Sequence, residues 1–209
     1  VAGINLTKDQ IINLSKAPAA LNESTGLRKV SFGLDWGMIS RGGILGFGKT
    51  KEKVDLDASA VLMDANKNIV EIVYFGNQTS SKGTVRHSGD DRGGDDADDG
   101  KDNEVIKVNL ECMTEATHVA FVLNSYSGQD FGQLPYVRIR AYTGDREVPL
   151  ESQILGKMEL SKDPSYNGKT SMVMGIVSKV GNEWTFKAVG QATSDRDVRD
   201  LARSSRNFV

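Results

Sequence analysis

Val54-Asp-Leu-Asp-Ala-Ser-Ala-Val-Leu-Met63 is the stretch that decides the fold class. Its residues sort by parity: Leu56, Ala58, Ala60 and Leu62 fall on one face, and Asp55, Asp57, Ser59, Val61 and Met63 on the other. A period of two is the mark of a strand with one apolar face, because successive side chains leave a pleated strand on opposite sides. The segment that follows, Asp64-Ala-Asn66-Lys67-Asn68, reads as a hairpin turn, since Asn and Asp tolerate the positive φ such turns require.

The same alternation recurs on both sides of this segment, with turn residues about every ten positions. Strands are expected over Val30 to Trp36, Val54 to Met63, Ile69 to Phe75, Thr84 to Ser88, Glu104 to Leu110, His118 to Ser125, Val137 to Tyr142, Ile154 to Leu160, Ser171 to Val180 and Glu183 to Ala188. Val180-Gly181-Asn182 reads as a second hairpin turn, and Ile4 to Lys16 as a short hairpin around Thr7 to Gln10 in preference to a weak helix. Only the C-terminus is helical in pattern, with Ser194 placed to cap and Asp195 and Asp197 in the first turn ahead of Val198, Leu201 and Ala202. Many strands with hardly any helix between them predict an all-β, mainly antiparallel, two-sheet sandwich with a short C-terminal helix, forming one domain over 1–209.

The composition suits a soluble globular protein: 209 residues, 38% hydrophobic, 26% charged, 22 glycines and a formal charge of −2. The single cysteine, Cys112, excludes an internal disulfide framework and a multi-cysteine zinc site, and favours a reducing, cytoplasmic setting. No apolar run approaches the roughly 18 residues of a spanning helix, and polar residues interrupt Val1 to Lys16 where a signal peptide needs its apolar stretch. Any membrane contact is therefore expected to be peripheral.

The charge is concentrated. Eight of the fifteen residues from Asp90 to Glu104 are acidic, opposed only by Arg92 and Lys101, a net −6 in one loop. Gly89, Gly93, Gly94 and Gly100 let its backbone bend until several oxygens point at one spot. Upstream, Asp55 and Asp57 share a strand face about 6.6 Å apart. Two unit charges at that distance repel by about 2.5 kcal/mol at an effective dielectric near 20, which a cation between them would relieve. A solvated, disordered insertion is the ordinary fate of a charge block, but expected strands flank this one tightly. The loop does not fit an EF-hand, because framing Glu104 as its last ligand places Asp98 where the invariant glycine belongs. His87, His118 and Cys112 lack zinc-ligand spacing. Hard oxygen ligands select Ca²⁺ first and Mg²⁺ or Mn²⁺ second.

These residues also carry a family resemblance. Val85-Arg-His-Ser-Gly-Asp-Asp91, the acidic stretch ending Asp102-Asn-Glu104-Val-Ile106, and Val54-Asp-Leu-Asp-Ala-Ser-Ala60 resemble the TerD family of tellurium-resistance and stress-response proteins. Phe32-Gly-Leu-Asp-Trp36-Gly37, Tyr74-Phe-Gly-Asn77 and Trp184 to Gln191 look like further family elements, so the resemblance covers nearly the whole chain. It implies a cytoplasmic bacterial β-sandwich that binds Ca²⁺ through acidic motifs, and no established catalytic activity. The chain departs from the family pattern where Asp91 and Gly93 replace Asn and Thr and a few extra residues lengthen the loop. Asp55, Asp57, Asp90, Asp91 and Glu104 have matching flanks; Asp95, Asp98, Asp99 and Asp102 lie in the lengthened part. All nine are taken as candidate ligands for one or two Ca²⁺ ions.

Other motifs compete poorly. Gly43-Ile-Leu-Gly-Phe-Gly48-Lys49-Thr50 satisfies the P-loop pattern, yet a P-loop leaves a buried strand and opens a helix, whereas here a strand is expected soon after Thr50. It reads as a long loop whose Ile44, Leu45 and Phe47 form a contact surface. Asp55-Leu-Asp57 echoes the aspartate pair of phosphotransferring phosphatases, but Lys51-Glu-Lys53 precedes it where an apolar strand should. His87 and His118 read as structural, with His87 near enough to the loop to bond a ligand carboxylate. Cys112, near Glu111 and Glu115, lacks the setting of a reactive thiol. Trp36 and Trp184 read as core. Arg196, Arg199, Arg203 and Arg206 alternate with Asp195, Asp197 and Asp200, which predicts ion pairing along a helix and no nucleic-acid partner.

The function expected from all this is a Ca²⁺-dependent binding or assembly module without enzymatic activity. Its expected partners are proteins, among them other resistance proteins at the inner membrane surface. A metal-dependent phosphoesterase using the same acids is the competing class.

Overall fold

A computed structural model describes residues 3–16, 29–42, 50–144, 146–161 and 163–209. Ile44, Leu45, Phe47 and most of the Gly43 to Thr50 loop lie outside the described residues. In chain order the strands are β1 (Ile4–Asn5), β2 (Ile11–Asn13), β3 (Lys29–Trp36), β4 (Ile39–Arg41), β5 (Thr50–Glu52), β6 (Leu56–Met63), β7 (Ile69–Val73) and β8 (Val85–His87). They continue with β9 (Glu104–Asn109), β10 (His118–Ser125), β11 (Tyr136–Tyr142), β12 (Ile154–Ser161), β13 (Ser171–Val180) and β14 (Glu183–Thr193), followed by the helix α1 (Val198–Ser205).

Two six-stranded sheets result. The first runs β1-β12-β11-β3-β9-β8 and the second β2-β14-β13-β10-β6-β7, while β4 and β5 form a separate ribbon. Among the described residues every strand pairing is antiparallel except β1 with β12. Phe32 of β3 stacks on Phe121 of β10 with ring centroids 4.0 Å apart, and Phe186 of β14 lies 5.3 Å from Phe32. This aromatic cluster joins the facing sides of the two sheets, and Leu56, Ala58, Ala60 and Leu62 of β6 point into the same core.

The other face of the second sheet is covered as well. Val61, Met63, Ala120, Val122, Val173 and Ile176 pack with Leu201 and Ala202 of α1. The helix explains why the central strands are buried on both sides. Its apolar cover ends at Val61; closer to the start of β6, the same face carries Ser59 and Asp57, both buried.

Each expected strand has a counterpart, and both hairpin turns form, with Lys67 at φ 62° and Gly181 at φ 60°. Trp36 and Trp184 are core residues. Two expectations need correction, and one ribbon was not foreseen. The N-terminal segment is not a hairpin: β1 joins the first sheet and β2 the second. Crossing between sheets lets Leu6 and Leu14 reach the core, and Gly156 lacks the Cβ that would collide with Leu6 and Ile12. The helix is capped by Asp197, which accepts from the N–H groups of Arg199 and Asp200, while Asp195 accepts from the hydroxyls of Thr193 and Ser204. The ribbon of β4 and β5 escaped notice because its residues are short on apolar content; the Arg41 to Glu52 ion pair at 2.6 Å spans it. Thr50 thus opens a strand and not a helix, the opposite of what a P-loop needs.

Candidate metal centre

The centre lies where β6 loses its neighbour. β7 pairs with β6 only between Ala60 and Met63, so the N–H and C=O of Ala58 have no ladder partner on that edge. Two buried side chains replace the ladder. Glu104 Oε2 accepts from the Ala58 N–H at 2.8 Å, and His87 Nε2 lies 3.0 Å from the Ala58 carbonyl. His87 Nδ1 accepts from the Gly89 N–H at 3.0 Å, so the ring's proton sits on Nε2 and is donated to Ala58. The second oxygen of Glu104 accepts from the Asp91 N–H at 3.1 Å. Glu104 therefore ties the backbone beside Asp57 to the backbone beside Asp90.

This brace brings three carboxylates together. One ligand oxygen from each of Asp55, Asp57 and Asp90 lies within 4.8 Å of the others, close to the spacing of oxygens that share one ion at about 2.4 Å. Asp55 is fixed by its carbonyl, which accepts from the Tyr126 N–H at 3.0 Å. Asp57 is 6% exposed, and Asn124 Nδ2 approaches its Oδ2 at 3.5 Å. Burial pushes the Asp57 carboxyl up to about 7, and the charges of Glu104, Asp55 and Asp90 add to that. Burial, then Asp90, also raises Asp55, against the pull of Arg92. Arg92 itself is exposed and donates to Asp90 at 2.7 Å. Among the described residues, Asn124 Oδ1 and Ser59 Oγ, both buried on this face, have no hydrogen-bond partner. A set of hard, crowded carboxylates beside unpaired buried oxygens fits a hard cation.

The rest of the loop is committed elsewhere. Asp91 Oδ1 accepts from the N–H groups of Gly93 and Gly94, and Asp99 from that of Lys101. Asp95 accepts from Asn103 Nδ2 at 3.1 Å. Asp98 and Asp102 lie across the outer face of the first sheet, held by arginines of β11. Arg138 bonds Asp98 at 2.9 and 3.1 Å and also pairs with the buried Asp35 of β3. Arg140 Nε donates to Asp102 at 2.7 Å. A Cβ on Gly33 would overlap the Asp102 carboxylate, so the glycine in β3 makes the seat for it. The hydrogen bond from Arg138 lowers Asp98 to about 2. Burial pushes Asp35 up to about 7 in spite of Arg138, and raises Asp102 in spite of Arg140. For Arg138, burial pulls downward, but the bond to Asp98 and the charge of Asp35 outweigh it and hold the guanidinium above its ordinary range.

Of the nine candidate ligands, the structure gathers Asp55, Asp57 and Asp90 into one cluster; Asp91, Asp95, Asp98, Asp99, Asp102 and Glu104 make the contacts just described. Arg138, Arg140 and Asn124 were missed by sequence reasoning. The two arginines had a signal: they alternate on one face of an expected strand and carry the charge the loop lacks. Asn124 had none.

The TerD domain family matches residues 2–204. Tellurium resistance protein TerZ of Serratia marcescens is 32% identical over 203 residues, covering 95% of this chain and 94% of that protein. Stress response protein SCP2 of Bacillus subtilis (strain 168) is 31% identical over 210 residues, covering 95% and 96%. A crystal structure of a homologue of the telluride resistance protein TerD from Streptomyces coelicolor A3(2) shares the fold with a TM-score of 0.60 at 18% identity, over 85% of this chain and 96% of that one. With the family matched across the chain and relatives aligned end to end, this protein belongs to the TerD family of tellurium-resistance and stress-response proteins.

Proposed function

We propose that this protein is a Ca²⁺-binding module of the tellurium-resistance and stress-response type that acts by ion-dependent binding or assembly and not as an enzyme. The observation that carries the reading is the cluster of Asp55, Asp57 and Asp90. Three carboxylates held on a braced strand end and a glycine-rich loop suit the 6–8 oxygen ligands and loose geometry of Ca²⁺ better than the octahedron Mg²⁺ demands. Of the loop's remaining acids, Asp98 and Asp102 are already paired with arginines, so a second ion would have to be held by Asp91, Asp95 and Asp99. The names of the similar proteins, a tellurium resistance protein and a stress response protein, support the physiological setting. Its partners in this reading are other proteins of the same response, met in the cytoplasm or at the inner surface of the membrane; among the described residues no helix is long and apolar enough to cross one.

Calorimetric titration of chelator-treated protein with Ca²⁺ and Mg²⁺ tests the proposal. Tighter binding of Ca²⁺, at one or two ions per chain, is expected. Equal affinities, or no heat with Ca²⁺, would sink it. Turnover of a phosphoester by ion-loaded protein would move the reading to a metal-dependent phosphoesterase.

A further inference from the structure

We propose that Asn124 is a further protein ligand of the cation, contributing a neutral amide oxygen to the carboxylates of Asp55, Asp57 and Asp90. The inference rests on the cation reading above and adds to it a residue that acts through the ion and not through the fold.

Asn124 stands opposite Asp57 in the register of β10 and β6, on the same face of the second sheet. Further along that face of β10 come Val122 and Ala120, both sealed under α1. Asn124 is buried almost as deeply, at 9% exposure. An amide there needs partners at both ends, because a buried polar group left unbonded is destabilising. One end is held weakly and the other not at all. Nδ2 reaches Asp57 Oδ2 only at 3.5 Å, the outer limit of a hydrogen bond, and Oδ1 has no partner. Such a group in a native fold calls for a specific reason.

The cage supplies one. Half a turn of the terminal torsion exchanges the oxygen and nitrogen of a carboxamide. Since protein atoms hold neither end well, the occupant of the cage decides the orientation. With carboxylates alone, the donor end faces Asp57. With a cation among them, the acceptor end is drawn toward the charge. The amide thereby brings a fourth protein group to an ion that takes 6–8 oxygens without adding to a cluster that is already strongly negative. A fourth carboxylate at the same place would raise the repulsion in the ion-free protein.

Luminescence of bound Tb³⁺, a hard oxygen-seeking stand-in for Ca²⁺, decides the matter, because lifetimes in H₂O and D₂O count the waters on the ion. In Asn124→Ala the ion should gain about one coordinated water relative to wild type, replacing the lost oxygen. Ca²⁺ affinity should fall by at least about tenfold, the lower end of what even an outer-shell partner is worth. The melting midpoint in chelator reports whether the variant folds. If it does not, Asn124→Asp carries the test: a ligand position now bearing a carboxylate keeps the wild-type water count and binds Tb³⁺ more tightly, whereas a position that only donates N–H to Asp57 binds it more weakly. An unchanged water count in Asn124→Ala, or weakened binding in Asn124→Asp, overturns the role of Asn124 while leaving the cation site standing. Wild-type protein that takes up neither Tb³⁺ nor Ca²⁺ overturns the cation reading itself.

Discussion

Two groups of aspartates, both drawing on one acidic loop, meet opposite fates on the two sheets of the sandwich. On the outer face of the first sheet, Asp98 and Asp102 are tied to Arg138 and Arg140, and Arg138 also neutralises Asp35 beneath them. On the outer face of the second sheet, Asp55, Asp57 and Asp90 crowd together, and the guanidinium that touches them, Arg92, is 79% exposed and bonds Asp90 alone. The lesson is that a carboxylate's role follows from what stands across from it. Acids already compensated by buried guanidinium groups fasten the loop to the sheet. In the proposed reading, acids with no buried guanidinium across from them are the ones available to an external cation.

The largest effect that would test this contrast comes from the compensated side. Arg138→Leu strands Asp35 in the interior, and breaking a buried pair by removing one partner costs about 3–5 kcal/mol. Urea denaturation should show the same loss in Ca²⁺ and in chelator. A loss confined to Ca²⁺ would mean that the two groups act as one site.

On the uncompensated side, Ca²⁺ at about 100 times its Kd should stabilise the wild-type protein by roughly 2.7 kcal/mol. Asp57→Ala should abolish most of that gain, yet leave the chelated protein almost as stable as before, because one repulsive carboxylate has gone. Equal melting midpoints for wild type in Ca²⁺ and in chelator would reduce the cluster to a solvated edge. The pH dependence has a definite sign. Asp57, at about 7 when folded and near 3.8 when unfolded, keeps its proton in the fold after the unfolded chain has lost it. The ion-free protein should therefore lose stability as pH rises between those values, and Asp35 contributes in the same direction. Asp98, lowered to about 2, behaves oppositely: its contribution is present above its unfolded value and is lost as pH falls toward 2. Asp57→Asn should flatten the upper slope and leave the lower one untouched in denaturation series run with chelator.

Gly33→Ala sharpens the comparison further. Displacing Asp102 from its seat should cost about 1–3 kcal/mol, as overpacking does, with Ca²⁺ affinity unchanged when measured by calorimetry. Smallest of all is Asp99→Asn. Among the described residues this exposed side chain bonds only the nearby Lys101 N–H, so both stability and affinity should stay within about 0.5 kcal/mol of wild type. A larger change in affinity would draw Asp99 into the cage.

What the sequence determined by itself was whatever rests on local periodicity. Alternation in Val54 to Met63 placed Asp55 and Asp57 on one face, the segments Asp64 to Asn68 and Val180 to Asn182 marked the turns, and the run of acids after Gly89 marked the loop. Parity suffices there because a strand's side chains alternate whatever its neighbours are. Which acids meet is another matter. A glycine-rich loop has no period, so nothing in its spacing separates Asp90, which reaches the cluster, from Asp98 and Asp102, which cross to the other sheet. Their partners are distant in the chain: Arg138 and Arg140 become available only when β11 pairs with β3, and Asn124 only when β10 sets its register on β6. Even the first strands went to separate sheets because Leu6 and Leu14 gain more from the shared core than a local hairpin could offer. Register between strands is settled by the burial of whole faces, a property of the assembled sandwich, and so tertiary structure alone decided which carboxylates were paired with arginines and which were crowded against one another.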